Sequence, residues 1–481
     1  MKTNFFVTLF LLSFMLQASA QSMNFYQVLQ QVVDHYPSVK TALYQLERAQ
    51  QENKKIESQL GWRLTSQVGV LRDVSAFGTP VDSLNLSASL FRKLATGATV
   101  EVAAAISKND SSNVFSPFQP NPVTLTGINL KYRLPLAKGY NNPLYSQGLE
   151  FADAGVRLAE AEQKAIYDLL AGQLIELYLA AAITQAKIKN AEQSIERSKR
   201  LKKYIYNRRN LGVAEEKDIL QVEALLKNQQ AERQGLLVIW QKQKISLNRL
   251  MGKKWHQEFY PAIQSVVGFP DKSESFLYAQ VKQNSSSLWA IKGQLQQAES
   301  AIKIQRDAKK DSLDLLLSIG NKTSAGDTIA NDISESELVG GVVLEFNRGI
   351  DKRAYDAELY QAQIDRGIAL QNKQRVLEDL QYNLFSLLAE IKAGNAALNA
   401  YKLSASSEKK KLNEAERRYK KGRADTDQLI QFETQLSMAE LAVNLQTIEL
   451  LRRFYGLSLL RGELWENIYF ADINISFKQE Q

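Results

Sequence analysis

Apolar residues recur at two different periods along this chain. Towards the C-terminus Leu429, Phe432, Leu436, Ala439 and Val443 are spaced 3, 4, 3 and 4 residues apart, the seam of a helix that packs lengthwise on another helix. The same alternation opens at Ile219, Val222 and Leu226, and breaks where Gln229 and Arg233 occupy its continuation. Elsewhere the period falls to 2, which marks strands. Leu84, Leu86, Ala88 and Leu90 alternate with Asn85, Ser87 and Ser89, and Val100, Val102, Ala104 and Ile106 do so after the Thr96-Gly97 turn. Ile128, Leu130, Tyr132 and Leu134 alternate with Asn129, Lys131 and Arg133, while Leu64, Ser66, Val68 and Val70 make a weaker strand. Leu313, Leu315, Leu317 and Ile319 lead into a Gly/Ser/Asp-rich segment that reads as a loop, and Val342, Leu344 and Phe346 follow it, so these two groups predict one hairpin. The strands are thus expected over residues 62–71, 84–107, 124–134, 313–320 and 338–347, set between helical tracts.

The nine prolines leave residues 144–260 and 271–481 free of this helix breaker. Those spans are rich in Ala, Leu, Gln, Glu, Lys and Arg, which favour helix. Asn142 to Leu211, if helical throughout, would reach about 100 Å at 1.5 Å per residue. Helices of that length do not make a compact globule, and their apolar stripes must pack on partners.

The chain also aligns with itself. The stretch LGVAEEKDILQVEALL from Leu211 matches KGRADTDQLIQFETQL from Lys421 at an offset of 210, and the register continues to Leu247 with Leu457, Leu250 with Leu460 and Gly252 with Gly462. Upstream, HYPSVKTAL from His35 matches NSSSLWAIK from Asn284 at an offset of 249, pairing Ala49 with Ala298 and Val68 with Leu317. GINLKYRL from Gly127 matches GVVLEFNR from Gly341 at 214. The drop from 249 to 214 locates 35 extra residues in the first copy, between its first strand and the strand at 127–134, where the Leu84 to Ile106 hairpin lies. An internal duplication is therefore expected. The first repeat covers 21–252, an equatorial connection 253–272, the second repeat 273–462 and a C-terminal tail 463–481.

The N-terminus carries Lys2, an apolar run from Phe5 to Leu16 and then Ala18-Ser19-Ala20, the layout of a secretory signal peptide over residues 1–20, cleaved after Ala20. No later apolar run reads as long enough for a transmembrane helix, which leaves a β-barrel as the membrane option. The 481 residues hold 60 Lys+Arg against 52 Asp+Glu, a formal charge of +8, and no cysteine. Disulfides, thiolate nucleophiles and a lipid-bearing N-terminal cysteine are excluded. His35 and His256 stand far apart with no ligand pattern around them, so no metal, cofactor or enzymatic chemistry is expected. The basic clusters Lys199 to Lys203 and Lys409 to Lys411 read as solvated helix faces rather than a nucleic-acid surface.

Several short motifs together resemble the TolC-like outer-membrane efflux proteins over essentially the whole mature chain. They are Gly212 with Asp218, Ile219, Leu220 and Ala224; Gly422 with Leu429 and Ile430; the closing Leu250-Met251-Gly252 and Leu460-Arg461-Gly462; Arg418-Tyr419 before Gly422; and Pro37-Ser38-Val39. The resemblance implies a mainly α fold with β structure. Three protomers would build an α-helical periplasmic barrel of very long coiled helices and a shared outer-membrane β-barrel. It implies four strands per chain and a twelve-stranded wall; with six candidate strands here, the extra hairpin is expected outside that wall. It also implies an exit duct of a tripartite efflux or type I secretion system, partnered by a periplasmic adaptor protein and an inner-membrane pump. The alternative is a periplasmic coiled-coil scaffold or adaptor without a pore.

By the same resemblance Leu211, Gly212 and Val213, with Lys421, Gly422 and Arg423, are candidate adaptor-docking tips; helix capping is the other reading of these residues. Asp218, Asp425 and Asp427 are candidate acids of a periplasmic gate, where threefold symmetry would make rings that hold cations. Ordinary helix N-terminal chemistry competes with that role, as it does for Glu215 and Glu216. Family members carry aspartates six and nine residues after the second glycine, where this chain has Gln428 and Gln431. Trp62, Phe91, Tyr132 and Phe346, at strand positions, fit either an interfacial girdle or buried packing.

Overall fold

A computed structural model describes residues 21–74, 80–111, 120–212, 214–263, 272–328, 331–466 and 468. The expected signal peptide, Val213, residues 264–271 of the connection and nearly all of the tail beyond Glu466 lie outside the described residues. In chain order the elements are β1 (Gln21–Met23), α1 (Phe25–His35), α2 (Pro37–Glu57), β2 (Arg63–Val74), β3 (Pro80–Lys93), β4 (Thr99–Ser111) and β5 (Val123–Pro135). Then come α3 (Pro143–Asn210), α4 (Glu216–Leu250), β6 (Phe259–Pro261), α5 (Glu274–Asn284) and α6 (Ser286–Ala308). The chain ends with β7 (Ser312–Asp327), β8 (Asp332–Asn347), α7 (Arg353–Lys420) and α8 (Thr426–Leu460). The long helices come in matched sizes: α3 and α7 have 68 residues each, α4 and α8 have 35 each.

Two compact units share the chain. One contains Tyr44–Ala161 and Trp289–Gln374 and holds a six-stranded antiparallel sheet in the order β2-β3-β4-β5-β7-β8. This corrects two expectations. The extra hairpin does not stand apart from the other strands: β3 and β4 lie in the same sheet between β2 and β5, each paired along its full length, so the sheet has six strands rather than four. The Gly/Ser/Asp-rich segment after Ile319 is not a loop, because β7 runs on to Asp327 and β8 begins at Asp332. There the ladder to β5 and β8 satisfies every step of backbone, from Gly320 with Asn129 to Gly326 with Val123, and pairing overrides weak strand propensity. Helix contacts in this unit include polar ones, among them Asn53 Nδ2 donating to Asp153 (2.6 Å) and Arg157 to Gln296 (2.8 Å).

The other unit contains the chain up to Leu43, Glu162–Leu288 and Arg375 onwards. Its core is aromatic. Phe25 stacks on Tyr455 with ring centroids 4.4 Å apart and meets Tyr178 edge-on at 5.6 Å. The Tyr178 hydroxyl shares its hydrogen between the carbonyls of Met23 (2.9 Å) and Ala262 (2.8 Å), pinning the parallel β1–β6 pair to α3. Here α3 departs from expectation, since it contains an apolar stretch long enough by length and composition to cross a membrane. Half of that stretch is buried, and Leu170, Leu174, Ile175 and Leu179 face this core, which explains its hydrophobicity.

Candidate functional site

Alternation along the strands gives the sheet two unlike faces. Tracing the paired residues, one face collects Leu64, Val68 and Val70; Leu84, Leu86 and Leu90; Val102 and Ile106; Ile128 and Leu130; Leu317 and Ile319; Leu338, Val342, Leu344 and Phe346. All of them are exposed, Leu64 to 74% and Val70 to 82%. A contiguous apolar face of this extent needs a non-aqueous neighbour. The opposite face is mainly polar, with Thr65, Gln67, Asn85, Ser87, Ser89, Glu101, Asn129, Lys131, Arg133, Ser318, Lys322, Glu337 and Glu345, among which Leu71, Phe91, Leu316, Val339 and Val343 are interspersed. Ion pairs cross that polar face, Lys131 to Glu101 at 3.3 Å and Arg133 to both Asp314 (2.8 Å) and Glu345 (2.9 Å).

The two ends of the apolar face differ chemically. At the end where helices attach, Trp62 and Phe346 are exposed and Tyr132 is half-buried, with the Arg92 guanidinium 5.8 Å from the Trp62 ring centre. Phe91 points to the polar face, where Arg63 lies 6.0 Å from its ring. The far end is charged, with Arg72 and Asp82 paired at 3.7 Å and Lys108 nearby in the ladder.

In the helical unit the two turns after α3 and α7 pack side by side. Ile205, Ile219 and Val222 from one helix pair join Leu412, Tyr419, Leu429 and Leu436 from the other in a single apolar cluster. Gly212 and Gly422 take φ of 74° and 71°, a left-handed conformation that disfavours any side chain. Arg208 sits over the Tyr419 ring (5.0 Å) and donates to its carbonyl (2.9 Å), and the Tyr419 hydroxyl meets Thr426 at 3.0 Å.

The candidate acids are at helix starts. Asp425 caps α8, accepting from the Gln428 N–H at 2.7 Å, and Asp218 accepts from the Glu215 N–H at 3.0 Å. Asp427 is exposed in the first turn of α8, with Gln428 half-buried and Gln431 exposed just beyond it. The two turns share a charge environment. A hydrogen bond from Lys217 to Glu215 raises the lysine pKa above its ordinary value, and Asp218 and Asp427 add to the effect. Leu211, Gly212, Lys421, Gly422 and Arg423 are all exposed at the turns.

Away from the turns lies a polar layer that sequence reasoning did not single out. Arg197 on α3 pairs with Glu433 (2.6 Å) and Glu440 (3.3 Å) on α8, Ser194 donates to Glu433 (3.0 Å), and Gln229 on α4 donates to Ser194 (3.0 Å). Arg233 pairs with Glu192 at 2.7 Å. The interruption of the apolar seam at Gln229 and Arg233 was its only sequence signal.

No family model and no curated protein matches this sequence. Solved structures do. The outer-membrane channel OprN superposes with a TM-score of 0.65 at 16% identity, over 91% of this chain and 89% of that one. This is the TolC-like channel fold. The outer membrane protein VceC of Vibrio cholerae shares it at a TM-score of 0.62 and 14% identity, covering 92% of this chain and 95% of its own. The Campylobacter jejuni CmeC outer membrane channel gives 0.62 at 14% identity, over 93% and 90% of the two chains. In this chain the TolC-like fold joins the two helix pairs through Ile205, Ile219, Val222, Tyr419 and Leu429 near their turns, and departs from the expected strand number by the inserted β3–β4 hairpin.

Proposed function

We propose that the chain is the outer-membrane exit duct of a tripartite efflux or type I secretion system. It is a passive conduit rather than an enzyme, built as a homotrimer from an internally duplicated chain. Its sheet sits among outer-membrane lipid and its helices extend into the periplasm, where the tips meet an adaptor protein that joins an inner-membrane pump. The observation that carries this reading is the sheet with one apolar and one polar face. Lipid requires every backbone donor and acceptor to be paired, so a spanning sheet must close into a barrel, apolar outside and wet inside. A water-soluble scaffold gains nothing from exposing Leu64, Val342 and Leu344 together. Neighbouring copies would also cover α7, which leaves Tyr360, Tyr382 and Leu403 exposed. The equal lengths of α3 and α7, and of α4 and α8, support the duplication.

The exposed tip residues Leu211, Gly212, Lys421, Gly422 and Arg423 are the proposed adaptor-docking surface, and Asp218, Asp425 and Asp427 the acids of the gate. The test is reconstitution. The purified chain inserts into planar bilayers as a detergent-stable trimer and conducts ions, with conductance reduced by multivalent cations added from the tip side. Release by osmotic shock without detergent would refute the reading. Because Asn also serves as an N-cap, Asp425→Asn/Asp427→Asn removes charge and leaves the helix start intact. Loss of cation block in that variant is expected; unchanged block would discard the gate assignment and leave the duct.

A further inference from the structure

The sheet ends on two strands with one partner each, β2 on β3 and β8 on β7. Both edges carry the apolar face to their last strand, through Leu64, Val68 and Val70 on one side and Leu338, Val342, Leu344 and Phe346 on the other. Six is an even number, so β2 and β8 run in opposite directions, and a β8-to-β2 junction between copies continues the antiparallel alternation. Their charges are complementary. β8 carries Asp332, Glu335, Glu337 and Glu345 with no basic residue, whereas β2 carries Arg63 and Arg72 with Asp73.

The apolar runs do not lie level on the ladder. One row of paired residues passes through Leu64, Leu90, Val102, Leu130, Ile319 and Gly340. Leu64 is the helix-proximal end of its run on β2, but Ile319 is the helix-distal end of its run on β7. The band thus shifts by about one residue per strand. A shift of ~3.3 Å for every ~4.8 Å of sheet describes strands inclined by about 35° to a level belt, the tilt of a membrane barrel wall. The runs on β3 and β4 fall on the same slope, so the inserted hairpin belongs to the wall.

Closure within one chain fails: six strands at that tilt enclose a backbone cylinder only about 11 Å across, into which Arg63, Lys131, Arg133 and Glu345 would all have to fit. We propose that three copies join β8 of one to β2 of the next and close an eighteen-stranded barrel. The proposal rests on the trimeric duct reading above and adds the junction and the width. Carrying the one-residue step across the junction sets Gln67 opposite Val343, Leu64 opposite Phe346 and Val68 opposite Val342. Arg63 becomes a diagonal neighbour of Glu345 on the polar face. Barrel diameter grows in proportion to strand number, giving about 34 Å between backbones against about 22 Å for twelve strands. Barrels of 16–18 strands leave an aqueous channel, so the backbone wall of this duct encloses a water-filled bore.

The native chain has no cysteine, so pairs of introduced thiols report the junction directly. In full-length protein oxidised in the outer membrane, Gln67→Cys combined with Val343→Cys gives covalent dimers and trimers on denaturing gels. Gln67→Cys with Asn129→Cys gives none, because two strands separate β2 from β5. An intrachain cross-link in that second pair would mean that the hairpin is expelled and β2 rests on β5, which overturns the proposal. Absence of interchain product from Gln67→Cys with Gly341→Cys, Val343→Cys and Glu345→Cys alike, in protein that still forms conducting trimers, overturns it too. Cryo-microscopy of the wild-type trimer in nanodiscs supplies a second count: eighteen strands support the junction, and twelve refute it while leaving the duct reading intact. A monomer that does not insert would remove both.

Discussion

Leu130→Arg abolishes stable insertion, whereas Asn85→Arg is tolerated. Leu130 lies mid-band on the apolar face, 44% exposed in the single chain, and its ladder neighbours Val102 and Ile319 are apolar. An arginine there costs roughly 2–4 kcal/mol per chain at the bilayer midplane, a factor of at least about 30 in the folding equilibrium, and the proposed trimer would bear it three times. Asn85 is exposed on the polar face, where a charge stays in water. The measurement is refolding into vesicles followed by gel mobility with and without heating. Equal loss in both variants would contradict the assignment of the faces.

Arg197→Met has the second largest effect, and its size depends on pH. The Glu433 carboxyl is buried on α8; burial raises its pKa above the usual carboxylate value, and Arg197 partly offsets that rise. Removing one partner of such a pair costs about 3–5 kcal/mol, because the remaining charge is left without compensation. In the variant the pKa rises further. A raised carboxyl pKa penalises the folded state above that pKa, and the penalty fades as pH falls through it towards the unfolded value. Arg197→Met therefore loses most thermal stability at neutral pH and recovers part of it towards pH 5. The double variant Arg197→Met/Glu433→Leu recovers most of it at every pH. Melting temperatures of the detergent-solubilised protein between pH 5 and 8 provide the check; a pH-independent loss would show that packing, not charge, is at stake.

The sequence carried the period of each element more faithfully than its extent. Residues 100–106 and 128–134 alternate cleanly, and both are strands facing as expected. Residues 320–327 do not alternate, and Gly, Asn and Asp argue against strand, yet β5 and β8 hold them extended. Such pairing partners are remote in sequence, and local composition does not announce them. The same limit misplaced the hairpin: its two strands were legible, but their insertion between β2 and β5 is a property of the ladder. At the turns, glycine at 212 and 422 was legible as a chain reversal, and both take the left-handed conformation that such a reversal uses. The polar layer was hidden because Arg197, Glu433 and Glu440 read as surface charges until α3 and α8 are laid together.

The bare apolar face of the sheet has a consequence for biogenesis. A single copy presenting Leu64, Val70, Val342 and Leu344 to water is an aggregation hazard, with two sticky strand margins besides. In the proposed trimer its lifetime before meeting its sisters must be short, or the surface must be escorted. Cells making too little escort should accumulate precipitated subunits rather than idle monomers.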